Sequence, residues 1–120
     1  MIISFAWTTN AFLAGRKRKT RRNWAPQYAR RFKAGTSHQA YDKNPRIGGH
    51  QIGTVGIERD PYLQRTSMMT EDDFEAEGFK WMEENGISMR GVSPRQFFED
   101  WKAADELVFV VEFETLECLK

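Results

Sequence analysis

The segment from Leu107 to Glu114 alternates without a break. Leu107, Phe109, Val111 and Phe113 fall on one side of an extended chain, and Val108, Val110, Glu112 and Glu114 fall on the other. A side-chain period of two over this length marks a β-strand with one face in a core. A strand needs neighbours for its backbone groups, so the chain must build a sheet. Ile2, Ile3, Phe5 and Trp7 form a second apolar run, short enough for a buried opening strand, and Thr8, Thr9 and Asn10 offer helix caps behind it. A brief helix through Phe12 and Leu13 stops at Gly15, and Lys17 to Arg22 reads as an edge strand. Residues 26–33 read as a short helix with Pro26 at its first position and Gly35 beyond its end.

Between Gly35 and Gly56, turn formers alternate with Ile47, Ile52, Val55 and Ile57, which mark short strands. Thr70, with Asp73 three residues on, opens a helix whose apolar stripe is Phe74, Gly78, Trp81 and Met82, and Asn85-Gly86 closes it. Ser93, Pro94 and Gln96 start another, carrying Phe97, Phe98 and Trp101. No repeat, heptad or low-complexity linker interrupts this order. The expected architecture is α+β: a small mixed barrel with short flanking helices, closed so that few strand edges stay open.

A chain of 120 residues suits one domain spanning 1–120. The apolar stretch from Met1 to Trp7 is too short for a membrane span and carries no basic leader, so no membrane partner is expected. One cysteine, Cys118, and two histidines, His38 and His50, cannot supply a disulfide framework or a four-ligand zinc site. The expectation is a cytoplasmic protein with no metal and no cofactor, and with both histidines facing solvent or capping.

The overall charge of +1 conceals a division along the chain. Residues 1–46 hold eleven Lys and Arg against one acid, Asp42, a local charge of +10, while the remainder holds seven against sixteen, −9. Either the basic half offers a cationic surface to phosphates or another anion, or the two halves neutralise each other across the fold. Signatures of nucleophile elbows, Walker loops and dinucleotide-binding turns are missing. Gly48-Gly49 and Gly53 read as tight turns.

What remains is Gly15-Arg16-Lys17-Arg18-Lys19-Thr20-Arg21-Arg22-Asn23-Trp24, preceded by Ala11-Phe12-Leu13-Ala14. This block resembles the signature of the ASCH family of PUA-like β-barrel domains, a short helix ending in Gly followed by Lys-Thr-x-Thr-x-Arg. Glu75-Ala76-Glu77-Gly78-Phe79 is similar to the family's Ala-x-x-Glu-Gly-Phe, and the closing helix and strand match in order. The resemblance implies a cleft for RNA or a modified nucleotide. It also implies kinship with bacterial amidohydrolases of N4-acetylcytidine, whose Lys, Thr and Glu map onto Lys17, Thr20 and Glu77.

Physical chemistry sets conditions on that trio. Thr20 becomes a nucleophile only if a base takes its proton, and Lys17 is such a base only if burial or neighbouring cations lower its pKa. Glu77, on the flank of its helix, needs a cation, and Lys17 or Arg22 can supply one. A Glu beside Lys17 also favours the charged amine, which would make the pair a binding device. Arg18 stands where the family has Thr, and Lys19 where it has a small or apolar residue. A regular strand would place Lys17 and Thr20 on opposite faces, so catalysis needs a turn or bulge between them.

Three functions follow as expectations. The first is binding of RNA or a modified nucleotide by Arg16, Arg18, Lys19, Arg21 and Arg22, with Trp24 and Tyr41 as stacking aromatics beside Tyr28 and Trp81. The second is hydrolysis, either deacylation of N4-acetylcytidine-like nucleosides or metal-independent RNA cleavage, with Lys17, Thr20 and Glu77 as the catalytic set. The third is docking of a basic protein partner on the acidic face from Glu71 to Glu84.

Overall fold

The closing strand is the axis of the molecule. In the computed structural model, which describes residues 1–119, strands β1 (Ile2–Ser4), β2 (Lys19–Arg22), β3 (Ser37–Tyr41), β4 (Gln51–Ile57), β5 (Tyr62–Arg65) and β6 (Leu107–Cys118) form one curled sheet. Five short helices flank it: α1 (Thr9–Leu13), α2 (Pro26–Ala29), α3 (Glu71–Ala76), α4 (Phe79–Glu84) and α5 (Pro94–Ala104). The strand order is β1-β3-β4-β6-β2, with β5 also on β6. β4 and β5 follow one another along β6, pairing Ile57 with Phe113 and Tyr62 with Val110. β2 pairs antiparallel with the same strand, Thr20 opposite Val111. β1 lies parallel to β3, which makes the sheet mixed.

The alternation in β6 holds, but its buried side changes along the strand. Val108 and Val110 are buried on one face and Val111 and Phe113 on the other, while Leu107, expected inside, is 50% exposed. Two layers cause the change. Inside the curl, Val111 and Phe113 join Ile3, Phe5, Phe12, Phe32, Val55 and Ile57, with the Phe5 ring 5.0 Å from Phe12 and 5.4 Å from Phe113. Outside, Phe74, Phe79, Met82 and Phe98 of α3, α4 and α5 form a second core together with Met69 and Met89 from the adjoining loops.

The barrel is a half-barrel. Among the described residues no ladder joins β1 to β2, and that seam is crossed by a side chain: Arg22 Nη2 donates to the Ser4 carbonyl. Ile47, expected in a strand, sits on a single 3-10 turn begun by Asn44 and Pro45, whose fixed φ suits the first turn, and it is 68% exposed. The helix expected from Thr70 to Glu84 is two helices. Its start matches the expected capping box of Thr70 and Asp73, but Gly78 takes φ +98° and divides α3 from α4. A Cβ there would stand 2.6 Å from the Cβ of Ala11, so the break lets α1 approach the backbone. Ser93 Oγ caps α5 as expected, accepting from Gln96 N at 3.1 Å. Among the described residues no helix is long and apolar enough to cross a membrane.

Candidate functional site

The break at Gly78 builds one side of the site. With the helix interrupted, the Glu77 carbonyl is turned out of the helical ladder, and Lys17 Nζ donates to it at 2.8 Å and to Glu77 Oε1 at 3.2 Å. Lys17 is 3% exposed and Glu77 3%. The regular strand begins only at Lys19, because residues 16–18 form an extended linker in which Arg18 N donates to Ala76 O at 2.8 Å. That departure removes the geometric obstacle to Lys17 and Thr20 facing a common space.

Within β2 the two faces divide the labour. Thr20 and Arg22 face the interior of the curl, where Arg22 Nε donates to Thr20 Oγ1 at 3.1 Å. Lys19 and Arg21 face the helices. Arg21 donates to Glu77 Oε2 at 2.6 Å, lies 2.9 Å from Asp73 Oδ1, and reaches Gln64 Oε1 at 2.9 Å. Arg21, together with Lys17, therefore supplies the cation Glu77 requires, the role expected of Lys17 or Arg22.

Burial pulls the Lys17 ammonium down to about 8, with Arg22 and Arg21 acting in the same direction, against the opposing pull of Glu77. Burial thus outweighs the carboxylate. A neutral Lys17 amine can keep both N–H bonds to Glu77 and present its lone pair at the remaining tetrahedral position. Asp73 behaves oppositely: burial pushes its carboxyl up, but the Thr70 backbone N–H and the Arg21 guanidinium outweigh this and hold it at about 2.

These groups line a cavity of about 640 Å³. Its polar floor is Lys17, Thr20, Arg21, Arg22 and Glu77, and an apolar wall rises opposite from Phe79, Met89, Val92, Phe97 and Trp101. Trp7 and Arg90 stand together, the guanidinium 4.7 Å from the indole centroid. A polar floor beneath an aromatic wall suits a flat ligand with a polar reactive group.

The other expected residues lie elsewhere. Arg16 pairs with Glu75 through Nε at 3.0 Å and Nη2 at 3.1 Å and with Glu84 at 3.2 Å, while Lys19 pairs with Asp73 at 3.2 Å. Arg18 is exposed. Trp24 stacks on Phe32 at 4.4 Å and edges Tyr28 at 5.1 Å, lining a separate cavity of about 590 Å³ that also holds Arg22 and Arg46. Tyr41 is half-buried on β3, away from the main cavity, and Trp81 packs against the helical core. His38, expected at the surface, is buried against Phe32 at 4.4 Å with Nε2 2.8 Å from Thr36 Oγ1, because strand alternation turns it inward. The sequence places Phe97 and Trp101 on a helix stripe and Trp7 in a strand, and only the fold brings all three to one cavity. The available signal was the shared side of α5 that Phe97 and Trp101 take at a spacing of four.

No family model and no curated protein matches the chain. The crystal structure of protein EF3133 from Enterococcus faecalis V583, described under family-model DUF984, is similar to it with a TM-score of 0.59. The two share 16% identity over 98% of this chain and 76% of that one. At this identity the likeness is one of fold, a curled mixed sheet with short helices.

Proposed function

We propose that the chain is a single ASCH-type domain, working in the cytoplasm, whose cavity binds a modified nucleoside or nucleotide and hydrolyses an amide on its base. One observation carries the reading. Lys17, buried and drawn toward neutrality, is fixed by two bonds to Glu77 in the cavity where Thr20 Oγ1 already accepts from Arg22.

The chemistry balances with these groups. The Lys17 amine takes the Thr20 hydroxyl proton as Oγ, positioned by Arg22, attacks the acyl carbon; the C=O π pair moves to the carbonyl oxygen, and the Arg22 guanidinium beside it stabilises that oxyanion. As the C–N bond breaks, the Lys17 ammonium returns the proton to the departing amine. A water, deprotonated by Lys17, then attacks the acyl-Thr20 ester; as the acyl C–Oγ bond breaks, the Lys17 ammonium gives that proton to Thr20 Oγ, releasing the carboxylic acid and restoring the hydroxyl. Glu77 orients Lys17 throughout and is a positioning residue.

RNA binding through the basic segment is the weaker reading. Arg16, Lys17, Lys19 and Arg21 are all paired with carboxylates of α3, α4 and the turn between them, leaving fewer cations for a phosphate chain. Incubation with N4-acetylcytidine, followed by chromatography, tests the proposal. Cytidine should appear with the wild type and fall by about a hundredfold or more in Thr20→Ala and Lys17→Ala. Release that survives in Thr20→Ala would refute the nucleophile.

A further inference from the structure

The pair Trp7 and Arg90 has no part in the reaction described above, and several features set it apart. The Arg90 guanidinium carbon stands over the Trp7 ring at 4.7 Å from its centroid, yet among the described residues Arg90 makes no ion pair or side-chain hydrogen bond. The cations of the floor are all engaged: Lys17 and Arg21 each hold the Glu77 carboxylate, and Arg22 donates to Thr20 Oγ1 and to the Ser4 carbonyl. A guanidinium stacked on a ring keeps its N–H edge free for bidentate contact with an oxyanion.

The backbone presenting this pair is also unusual. Arg90 has φ +53° and Gly91 φ +77°, in a two-residue turn closed by Met89 N to Val92 O at 2.8 Å and Val92 N to Met89 O at 3.0 Å. Such turns favour Asn, Asp or Gly at the first central position, and this one holds Arg. Ala6, next to Trp7, has φ +47°. Left-handed backbone at two non-glycine positions flanking one contact is retained where surrounding structure fixes it, and such positions cluster at ligand clamps. Met89 and Val92 anchor the turn in the cavity wall.

We propose that Arg90, braced on Trp7, binds a phosphate on the ligand, so that the cavity prefers a nucleotide monophosphate to the free nucleoside. This rests on reading the cavity as a nucleoside-type site: the base lies along the Phe79, Phe97 and Trp101 wall, its exocyclic group meets the floor, and its phosphate meets Arg90.

The test is isothermal titration with cytidine and cytidine 5′-monophosphate at low salt. Neither ligand requires turnover, so the result is independent of whether N4-acetylcytidine is hydrolysed. The monophosphate should bind about tenfold or more tightly than cytidine, a ratio that shrinks at high salt. In Arg90→Gln the ratio should collapse towards one, and in Trp7→Leu, which removes the brace, it should fall partway. Circular dichroism checks that both variants fold. Equal affinities in the wild type, or a ratio unchanged in Arg90→Gln, overturn the phosphate assignment while leaving the nucleoside reading intact. Absence of binding by both ligands overturns the two together.

Discussion

Lys17 shows what a buried amine costs and what it gains. Its folded-state pKa of about 8 lies below the ordinary 10.5, so between those values the unfolded chain binds more protons than the folded one. Stability must therefore rise with pH across that window, by up to about 3 kcal/mol. Below pH 8 both states are protonated and the contribution is flat. Tyr62 opposes the rise at the top: burial and the Glu112 carboxylate push its phenol up to about 12, so above pH 10 the unfolded chain ionises first and stability falls. Urea unfolding between pH 7 and 10 should show the climb in the wild type and a flat line in Lys17→Met. That variant should not collapse at pH 7, because Arg21 still holds Glu77 at 2.6 Å. If the site hydrolyses amides, its rate should rise with pH through the same value near 8, since only the neutral amine accepts the Thr20 proton.

At the scale of elements, the break between α3 and α4 decides whether a site forms. Gly78→Ala forces a Cβ to within 2.6 Å of the Ala11 Cβ at φ +98°, and both the clash and the backbone conformation oppose it. A loss of about 3 kcal/mol or more is expected in urea unfolding. Any loss of ligand binding should persist under conditions where the variant is fully folded, because the Glu77 carbonyl and Lys17 separate. The sequence could not announce this break. Gly78 falls on a helical stripe with Phe74 and Trp81, and what demands a glycine is Ala11, which is distant in sequence. Local signals were legible for the opposite reason: Thr70 with Asp73 and Ser93 with Gln96 are satisfied within their own turns. β5 gave little pattern to read, being half exposed, and Ile47 followed the local geometry of Asn44-Pro45. The trio of Lys17, Thr20 and Glu77 was legible only through a motif resemblance. Trp7 and Arg90 come from segments with no shared periodicity, so only the folded chain brings them together.

Across the whole molecule, part of the uneven charge of the sequence is an internal zipper. Arg16, Lys17, Lys19 and Arg21 from the basic half engage Glu75, Asp73, Glu77 and Glu84 from the acidic half, binding the helical layer to the half-barrel. Arg18, Arg30, Arg31, Lys33, Lys43 and Arg46 stay exposed and none of them lines the main cavity, so the cationic surface expected from the sequence is displaced from it. The zipper sets the response to acid. Asp73 titrates at about 2 when folded against 3.8 ordinarily, so its contribution is complete above pH 3.8 and disappears as pH falls through 2. The shift corresponds to about 2 kcal/mol. Asp73 and Glu77 are nearly buried, so salt screens their pairs weakly and the melting temperature at pH 7 should move little between low and high ionic strength. Hydrogen exchange distinguishes the layers. As pH falls from 4 to 2, amides of α3 and α4 should lose protection before those of β3 and β4, whose core is aromatic and aliphatic and has no carboxylate to protonate. Loss of protection in both layers at the same pH would mean that apolar contacts, not the ion pairs, hold the helices to the sheet.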